Sequence, residues 1–257
     1  MKLHHVVDGS DGAPVLVLSS SLGTTLEAWE PQLGPLAKHF RVVRYDRRGH
    51  GRSPVATGAT TLDDLGGDLI ELLDGLAFER VSFCGISLGG VEGMWLALNA
   101  PERVERLALC CTAPSFPPRQ GWVDRAAAVR ADGMGAIVDA VLGRWFRPVF
   151  QAARPDVVAR FRALLLSTPP EGYAACCDAL ADADLTARIG GIAAPTLVLT
   201  GSDDLGVPPA SGEALAAAIP GARHTVVEGA AHIASVEQAD SFTAALLRHV
   251  GGKREDT

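Results

Sequence analysis

The sequence predicts an α/β fold: a mostly parallel central sheet flanked by helices, with an all-helical cap inserted into it. Three observations carry this. Short apolar, β-branched runs alternate with helical patterns along most of the 257 residues, as in strands joined by crossover helices. Two of the runs, Val15-Leu16-Val17-Leu18 and Leu197-Val198-Leu199, have no polar alternation, which is what strands buried on both sides require. The rhythm breaks once, between about Phe116 and Gly191, where no clear strand pattern is found.

In chain order, apolar runs predict strands at 3–7 and 15–19, then a Ser/Gly loop, a helix at 26–39 and a strand at 41–45. A helix at 62–76 leads to a buried strand at 81–84, a helix at 88–99 and a strand at 104–110. Pro114, Pro117 and Pro118 mark the start of the insertion, and Gly190, Gly191 and Pro195 its end. Between them amphipathic segments predict helices at 122–131, 136–146, 155–166 and 173–183. The strand–helix pattern then resumes with strands at 196–200 and 223–227 and helices at 210–219 and 235–250, before a frayed tail at 251–257. The expected division is a core of 1–115 and 191–257 and a cap of 116–190.

In such sheets function sits at the carboxyl ends of the strands. Gly85-Ile86-Ser87-Leu88-Gly89 lies at one of them, between an apolar strand and a helical pattern. A sharp strand-to-helix turn lifts the serine hydroxyl above the sheet edge, and the tight turn needs small residues two before and two after it; here both are glycine. A serine nucleophile needs a histidine base, and the histidine an acid that fixes its tautomer. After the strand at 196–200 comes Gly201-Ser202-Asp203-Asp204, and after the strand at 223–227 comes Glu228-Gly229-Ala230-Ala231-His232. Asp204 is expected as the acid, Asp203 shaping the turn as an Asx residue, and His232 as the base. His4, His5, His39 and His50 precede the serine, while His224 lies in a strand and His249 in a helix. Two N–H donors for an oxyanion are expected from Leu88, next to the nucleophile, and from the loop Ser20-Ser21-Leu22-Gly23-Thr24, where the distance to Trp29 points to Leu22.

Over nearly its whole length the chain resembles the α/β-hydrolases. Asp46-Arg47-Arg48-Gly49-His50-Gly51-Arg52-Ser53 is similar to the family's D-x-R-G-x-G-x-S turn, usually structural; Ser20-Ser21 stands where most relatives carry His-Gly. The strings Ser19-Ser20-Ser21-Leu22-Gly23-Thr24-Thr25 and Gly172-Tyr173-Ala174-Ala175-Cys176-Cys177 resemble one branch, the 3-oxoadipate enol-lactonases of aromatic catabolism (the β-ketoadipate pathway). That resemblance implies attack of Ser87 on the lactone carbonyl, an enolate leaving group that becomes a ketone, hydrolysis of the acyl-enzyme, and no metal or organic cofactor. It also implies a small anionic lactone substrate, hence a cation in the pocket. The segment 116–190 has nine arginines, no lysine and eight Asp/Glu, a local +1 in a chain of net −7. Arg144 and Arg147, which flank Trp145-Phe146, are the candidates; Trp122, Trp145 and Tyr173 fit either an apolar wall of the pocket or plain packing.

A net charge of −7 without a long basic run argues against nucleic-acid or anionic-membrane partners. Met1-Lys2-Leu3-His4-His5 does not read as a signal peptide, and no apolar stretch reaches the ~18 residues that span a bilayer. Cys84, Cys110, Cys111, Cys176 and Cys177 are odd in number with no C-x-x-C, so reduced thiols and a cytoplasmic protein are expected. Oligomeric state is not readable. The same scaffold also serves carboxylesterases, haloperoxidase-type perhydrolases, carbon–carbon hydrolases and non-enzymatic ligand sensors; a haloalkane dehalogenase would need an acid in place of Ser87.

Overall fold

The structure, a computed structural model, describes residues 1–252; the predicted frayed tail lies, for 253–257, outside the described residues. Seven strands, β1 (His5–Asp8), β2 (Val15–Ser19), β3 (Arg41–Tyr45), β4 (Val81–Ile86), β5 (Val104–Cys110), β6 (Thr196–Gly201) and β7 (Arg223–Val227), form one sheet in the order β1-β3-β2-β4-β5-β6-β7. Every pair is parallel except β1 with β3. β4 and β6 are buried at every residue, so the sheet is covered on both faces and the unbroken apolar runs are explained.

The core helices are α1 (Glu30–Leu36), α2 (Leu62–Gly75) and α3 (Leu88–Asn99), and, after the insertion, α9 (Pro209–Ala218), α10 (Ala234–Glu237) and α11 (Ala239–Val250). α3 packs on β2, β4 and β5 with α2 against it, and α11 packs on β5 and β7 with α1 against it. Thr61 and Asp64 close a capping box at the start of α2, satisfying two donors the helix cannot. The helix expected at 26–39 is shorter. Residues Leu26–Trp29 form a 3-10 turn and α1 starts at Glu30. Pro31 has no N–H for a continuous helix and sits where that bond is not needed. The helix expected at 235–250 breaks at Gln238 (φ −132°, ψ 57°), whose side-chain amide instead donates to Gly229 O at 2.9 Å.

Between β5 and β6 run α4 (Arg119–Asp132), α5 (Val138–Trp145), α6 (Pro148–Ala153), α7 (Pro155–Ser167) and α8 (Pro170–Asp182). Of these α6 was not expected from the sequence. α4 packs along α8, and Trp145, Phe146, Phe150 and Phe161 form an aromatic cluster joining α5, α6 and α7. An isolated bridge between Ser115 and Asp184 ties the two ends of the insertion together. A second junction is backbone on backbone: a Cβ on Gly172 would lie 2.1 Å from Gly49 O, and one on Gly49 2.4 Å from Gly172 Cα. All five cysteines are buried and unbridged. Among the described residues no helix is long and apolar enough to cross a membrane.

Candidate active site

The strand order reverses between β2 and β4, and their parallel register pairs Ser19 with Gly85. The loop after β2 therefore lies beside the turn after β4, where open α/β sheets bind ligands. Ser87 occupies that turn at φ 57°, ψ −118°, a conformation that costs of order 1–3 kcal/mol and persists only when the surroundings impose it. Here the neighbours do so: Ser87 N donates to Cys110 O at 2.9 Å, and Thr112 Oγ1 donates to Ser87 O at 2.7 Å. The turn is closed tightly enough that a Cβ on Gly85 would meet Gly89 O at 2.1 Å, and one on Gly89 would meet Ser19 O at 2.4 Å.

β6 and β7 pair Gly201 with Val227, which brings the loops after them together. Asp204 Oδ2 lies 2.8 Å from His232 Nδ1. Its other oxygen accepts from Gly206 N at 2.9 Å and Val207 N at 3.0 Å, so the carboxylate is fixed in both position and rotation. The turn-shaping role expected of Asp203 thus belongs to Asp204 itself; Asp203 is half-exposed and accepts from Ser202 Oγ at 2.6 Å. The Cys111 thiol, buried near Asp204, is held well above the usual thiol range, by burial first and then by that carboxylate.

Ser87, Asp204 and His232 line one cavity of about 380 Å³, together with Leu22. Leu88 is the first residue of α3, where helix geometry leaves amides without an intrahelical acceptor. Among the described residues neither the Leu22 nor the Leu88 amide donates to a protein group.

The loop carrying Leu22 is held from behind by the Asp46–Ser53 turn. Arg47 Nη2 donates to Ser20 O at 2.7 Å and Nη1 to Ser21 O at 3.2 Å. Its Nε meets Glu92 at 2.9 Å, and Glu92 also accepts from Tyr45 OH at 2.6 Å and from Ser19 Oγ. Asp46 caps Leu26 N and Arg52 N at 2.8 and 3.0 Å. Gly23 N donates to His50 Nε2 at 3.0 Å, and the opposite ring nitrogen faces Arg48 O at 3.2 Å, an arrangement only a neutral imidazole satisfies.

Burial, and then Arg47, push His50 down to about 3; burial pushes His249, which faces Leu107 O, down to about 4. Unfolded imidazoles titrate near 6.5, so the folded chain binds fewer protons than the unfolded one as the medium is acidified. This contribution to stability is complete above the unfolded value and is lost as pH falls toward the folded ones. At pH 5 the loss is about 2 kcal/mol for each ring. Thermal melts at pH 7.5 and 5.0 should show it, with a smaller drop for His50→Gln, whose amide oxygen can still accept from Gly23. Equal drops in the two proteins would contradict a neutral His50.

The helical segment between β5 and β6 supplies much of the remaining wall, and the loop after β6 adds Val207. Trp122, Arg144, Trp145 and Tyr173 all line the cavity, as expected from the sequence, and so do Phe116 and Val141. Arg147 does not. Pro148 disfavours a helical residue before it, α5 ends at Trp145, and Arg147 is extended (φ −63°, ψ 149°); its Nε pairs with Glu237 at 2.8 Å instead. The arginine that sequence reasoning missed is Arg125, on the cavity wall with Tyr173, its guanidinium 4.6 Å from the Trp122 ring. Trp122 and Arg125 stand three apart in one helix, a spacing that shares a face and was the available signal.

Of the nine arginines at 116–190, six are in ion pairs with Asp or Glu and Arg188 donates to Asn99 Oδ1. Arg125 and Arg144 have no carboxylate partner among the described residues, and both face the cavity. Between them burial raises the Tyr173 phenol, which the two guanidiniums pull back. Among the described residues no three His, Cys, Asp or Glu side chains converge as a metal site needs.

The chain has close counterparts in sequence and fold among known proteins. The alpha/beta hydrolase fold family profile matches residues 14–239. The crystal structure of the enol-lactonase from Burkholderia xenovorans LB400 superposes with a TM-score of 0.95 at 44% identity, over 97% of this chain and 96% of that one. The 3-oxoadipate enol-lactonase 2 of Acinetobacter baylyi is 38% identical over 244 residues, 95% of this chain and 91% of its own. A Yersinia enterocolitica protein named as a carbamate hydrolase, RutD, is 33% identical over 255 residues, 94% of this chain and 88% of its own. With a family profile spanning most of its length and such relatives along nearly all of it, the chain belongs to the alpha/beta hydrolase fold family.

Proposed function

We propose that this chain is a serine hydrolase that opens 3-oxoadipate enol-lactone, a small lactone bearing one free carboxylate, to 3-oxoadipate. The observation that carries the reading is the coexistence, in one cavity, of an elbow serine, a His–Asp pair and two arginines that have no carboxylate partner among the described residues. Resemblance to the enol-lactonases supports the choice of substrate.

In this reading His232 Nε2 takes the Ser87 proton as Oγ attacks the ring carbonyl. Asp204 holds Nδ1–H and stabilises the imidazolium that forms. The oxyanion is received by the amides of Leu22 and Leu88, each worth on the order of 3 kcal/mol of barrier. The C–O bond of the ring breaks to release an enolate oxygen, still tethered through the acyl chain, which takes the proton held on His232 Nε2 and tautomerises to the ketone, leaving the imidazole neutral. Water, deprotonated by His232, then attacks the acyl-enzyme, and the imidazolium returns that proton to Ser87 Oγ as the acyl–oxygen bond breaks. Arg125 and Arg144 receive the substrate carboxylate, with Trp122 and Trp145 packing on its carbon skeleton.

The test is steady-state turnover of the anionic lactone against a neutral ester, p-nitrophenyl acetate. The wild type should favour the lactone in kcat/KM. Arg125→Met and Arg144→Met should each lose about ten- to a hundredfold more on the lactone than on the ester, since hydrogen bonds to charged groups are worth about 1.5–3 kcal/mol. Equal losses on both substrates would contradict carboxylate recognition by these residues. A second reading, hydrolysis of a small carbamate, is favoured by the RutD relative; a carbamate turned over faster than the lactone would move the assignment there. Faster turnover of neutral esters than of either would point to a carboxylesterase.

A further inference from the structure

His232 is fixed at its ring by Asp204, but the backbone on either side of it is held by groups that lead to the cap. On one side Ala231 N donates to Glu237 Oε2 at 2.7 Å. The other oxygen of Glu237 accepts twice from Arg147, from Nε at 2.8 Å and from the backbone N at 3.2 Å. On the other side Ile233 N donates to Trp145 O at 3.2 Å. Both amides flanking the histidine therefore trace to residues 145–147, and Arg144 and Trp145, at the same chain end, face the cavity.

The Glu237 side chain is fully buried while Arg147 is a quarter exposed. A carboxylate taken out of water needs a cation and a full set of donors, and Arg147 is the only cation paired with it among the described residues. Asp203 is 3.9 Å from the same guanidinium and half-exposed, too distant and too wet to compete. The Arg147 head also packs on Gly229, at the start of the histidine loop: a Cβ there would lie 3.4 Å from Nη1.

We propose that Arg147 is a positioning residue: through Glu237 it clasps the substrate-facing end of α5 to the loop bearing His232, so that the base is held in register only while this part of the cap is seated. The assignment rests on the reading of Ser87 and His232 as nucleophile and base, and is independent of which acyl compound is the substrate. Substrate held by Arg144 and Trp145 loads the same segment that fixes the histidine loop, so cap occupancy and base geometry are mechanically joined.

The experiment compares wild type, Arg147→Met, Arg147→Lys and Glu237→Gln on p-nitrophenyl acetate and on the anionic lactone, with the rate of inactivation by a serine-directed phosphonate as a substrate-independent readout. Arg147→Met should lower kcat about ten- to a hundredfold on both substrates, the range expected when a reacting group is misplaced by about 1 Å, with KM within about threefold of wild type. Phosphonate inactivation should slow by the same factor. Arg147→Lys, which keeps the charge beside Glu237, should recover much of the loss. Glu237→Gln should resemble Arg147→Met, and the double variant should be no worse than either single one, as partners in one interaction require.

A loss confined to the carboxylate substrate with raised KM would make Arg147 a substrate ligand and overturn the proposal. So would a lowered melting temperature with kcat and inactivation rate unchanged, which would leave it a purely structural residue. If Arg147→Met does not fold, Arg147→Lys and Glu237→Gln carry the same comparison, and kcat unchanged in both would again overturn it. Failure of the wild type on the lactone, with ester hydrolysis or phosphonate labelling intact, would sink the substrate assignment and leave the clasp tested on the ester and the phosphonate.

Discussion

Replacing Ser87 by alanine is expected to remove at least about a thousandfold of kcat, with KM little changed. Without Oγ there is no acyl-enzyme, and what survives is whatever the oxyanion amides and the pocket give to direct attack by water. Thermal stability should move little: the side chain is small, its φ of 57° is as strained for alanine as for serine, and the Cys110 and Thr112 contacts that hold the turn are made by the Ser87 backbone. Stopped assays with active-site titration measure this. Labelling of wild type but not of Ser87→Ala by a phosphonate checks that the hydroxyl is the reacting atom. A variant retaining more than about a thousandth of wild-type turnover would exclude the nucleophile role.

The second large effect is on stability. Arg47→Met should cost about 3–5 kcal/mol, because it leaves Glu92 charged and unpaired in a site where both side chains are almost inaccessible (3% and 1%). For a chain of this size that is a fall in melting temperature of roughly 10 °C. Removing both charges, as in Arg47→Met with Glu92→Leu, should recover part of it, since the carboxylate no longer needs a partner. The single variant should also lose activity below its melting temperature, because Arg47 is the donor that holds the Ser20 and Ser21 carbonyls behind the Leu22 turn. A penalty under about 1 kcal/mol, measured by urea unfolding, would contradict the ion pair.

The sheet was legible because parallel strands buried on both faces leave unmistakable apolar runs; the strands at 15–19, 41–45, 104–110 and 223–227 lie where the sequence puts them. The serine turn was legible for a steric reason, the two glycines that its close backbone contacts demand. Asp204 and His232 were reachable because parallel register brings the ends of adjacent strands together. The cap was not so transparent. Its segmentation depended on Pro148, which begins one helix and ends the possibility of another. Read as one continuous helix, Arg144 and Arg147 share a face; with the break after Trp145 they part, one toward the cavity and one toward Glu237. Arg125 was hidden by its surroundings, an Ala-rich stretch whose other arginines, Arg119 and Arg130, are in ion pairs, although Trp122 one turn earlier marked the face. The partners of charged side chains across 90 residues, as for Arg147 and Glu237, leave no local trace in a single sequence.

The meeting of Gly49 and Gly172 bears on engineering. Each glycine fills the space a Cβ on the other would need, and they belong to different parts of the chain, the Asp46–Ser53 turn and the first turn of α8. A cap transplanted from another hydrolase would arrive with its own residue at this joint, and anything larger than hydrogen would push the graft off the turn whose Arg47 and His50 support the Leu22 loop. The unit that can be exchanged between such enzymes is therefore the cap together with that turn, and chimeras cut at the insertion boundaries alone should bind altered substrates poorly for reasons unrelated to the pocket lining.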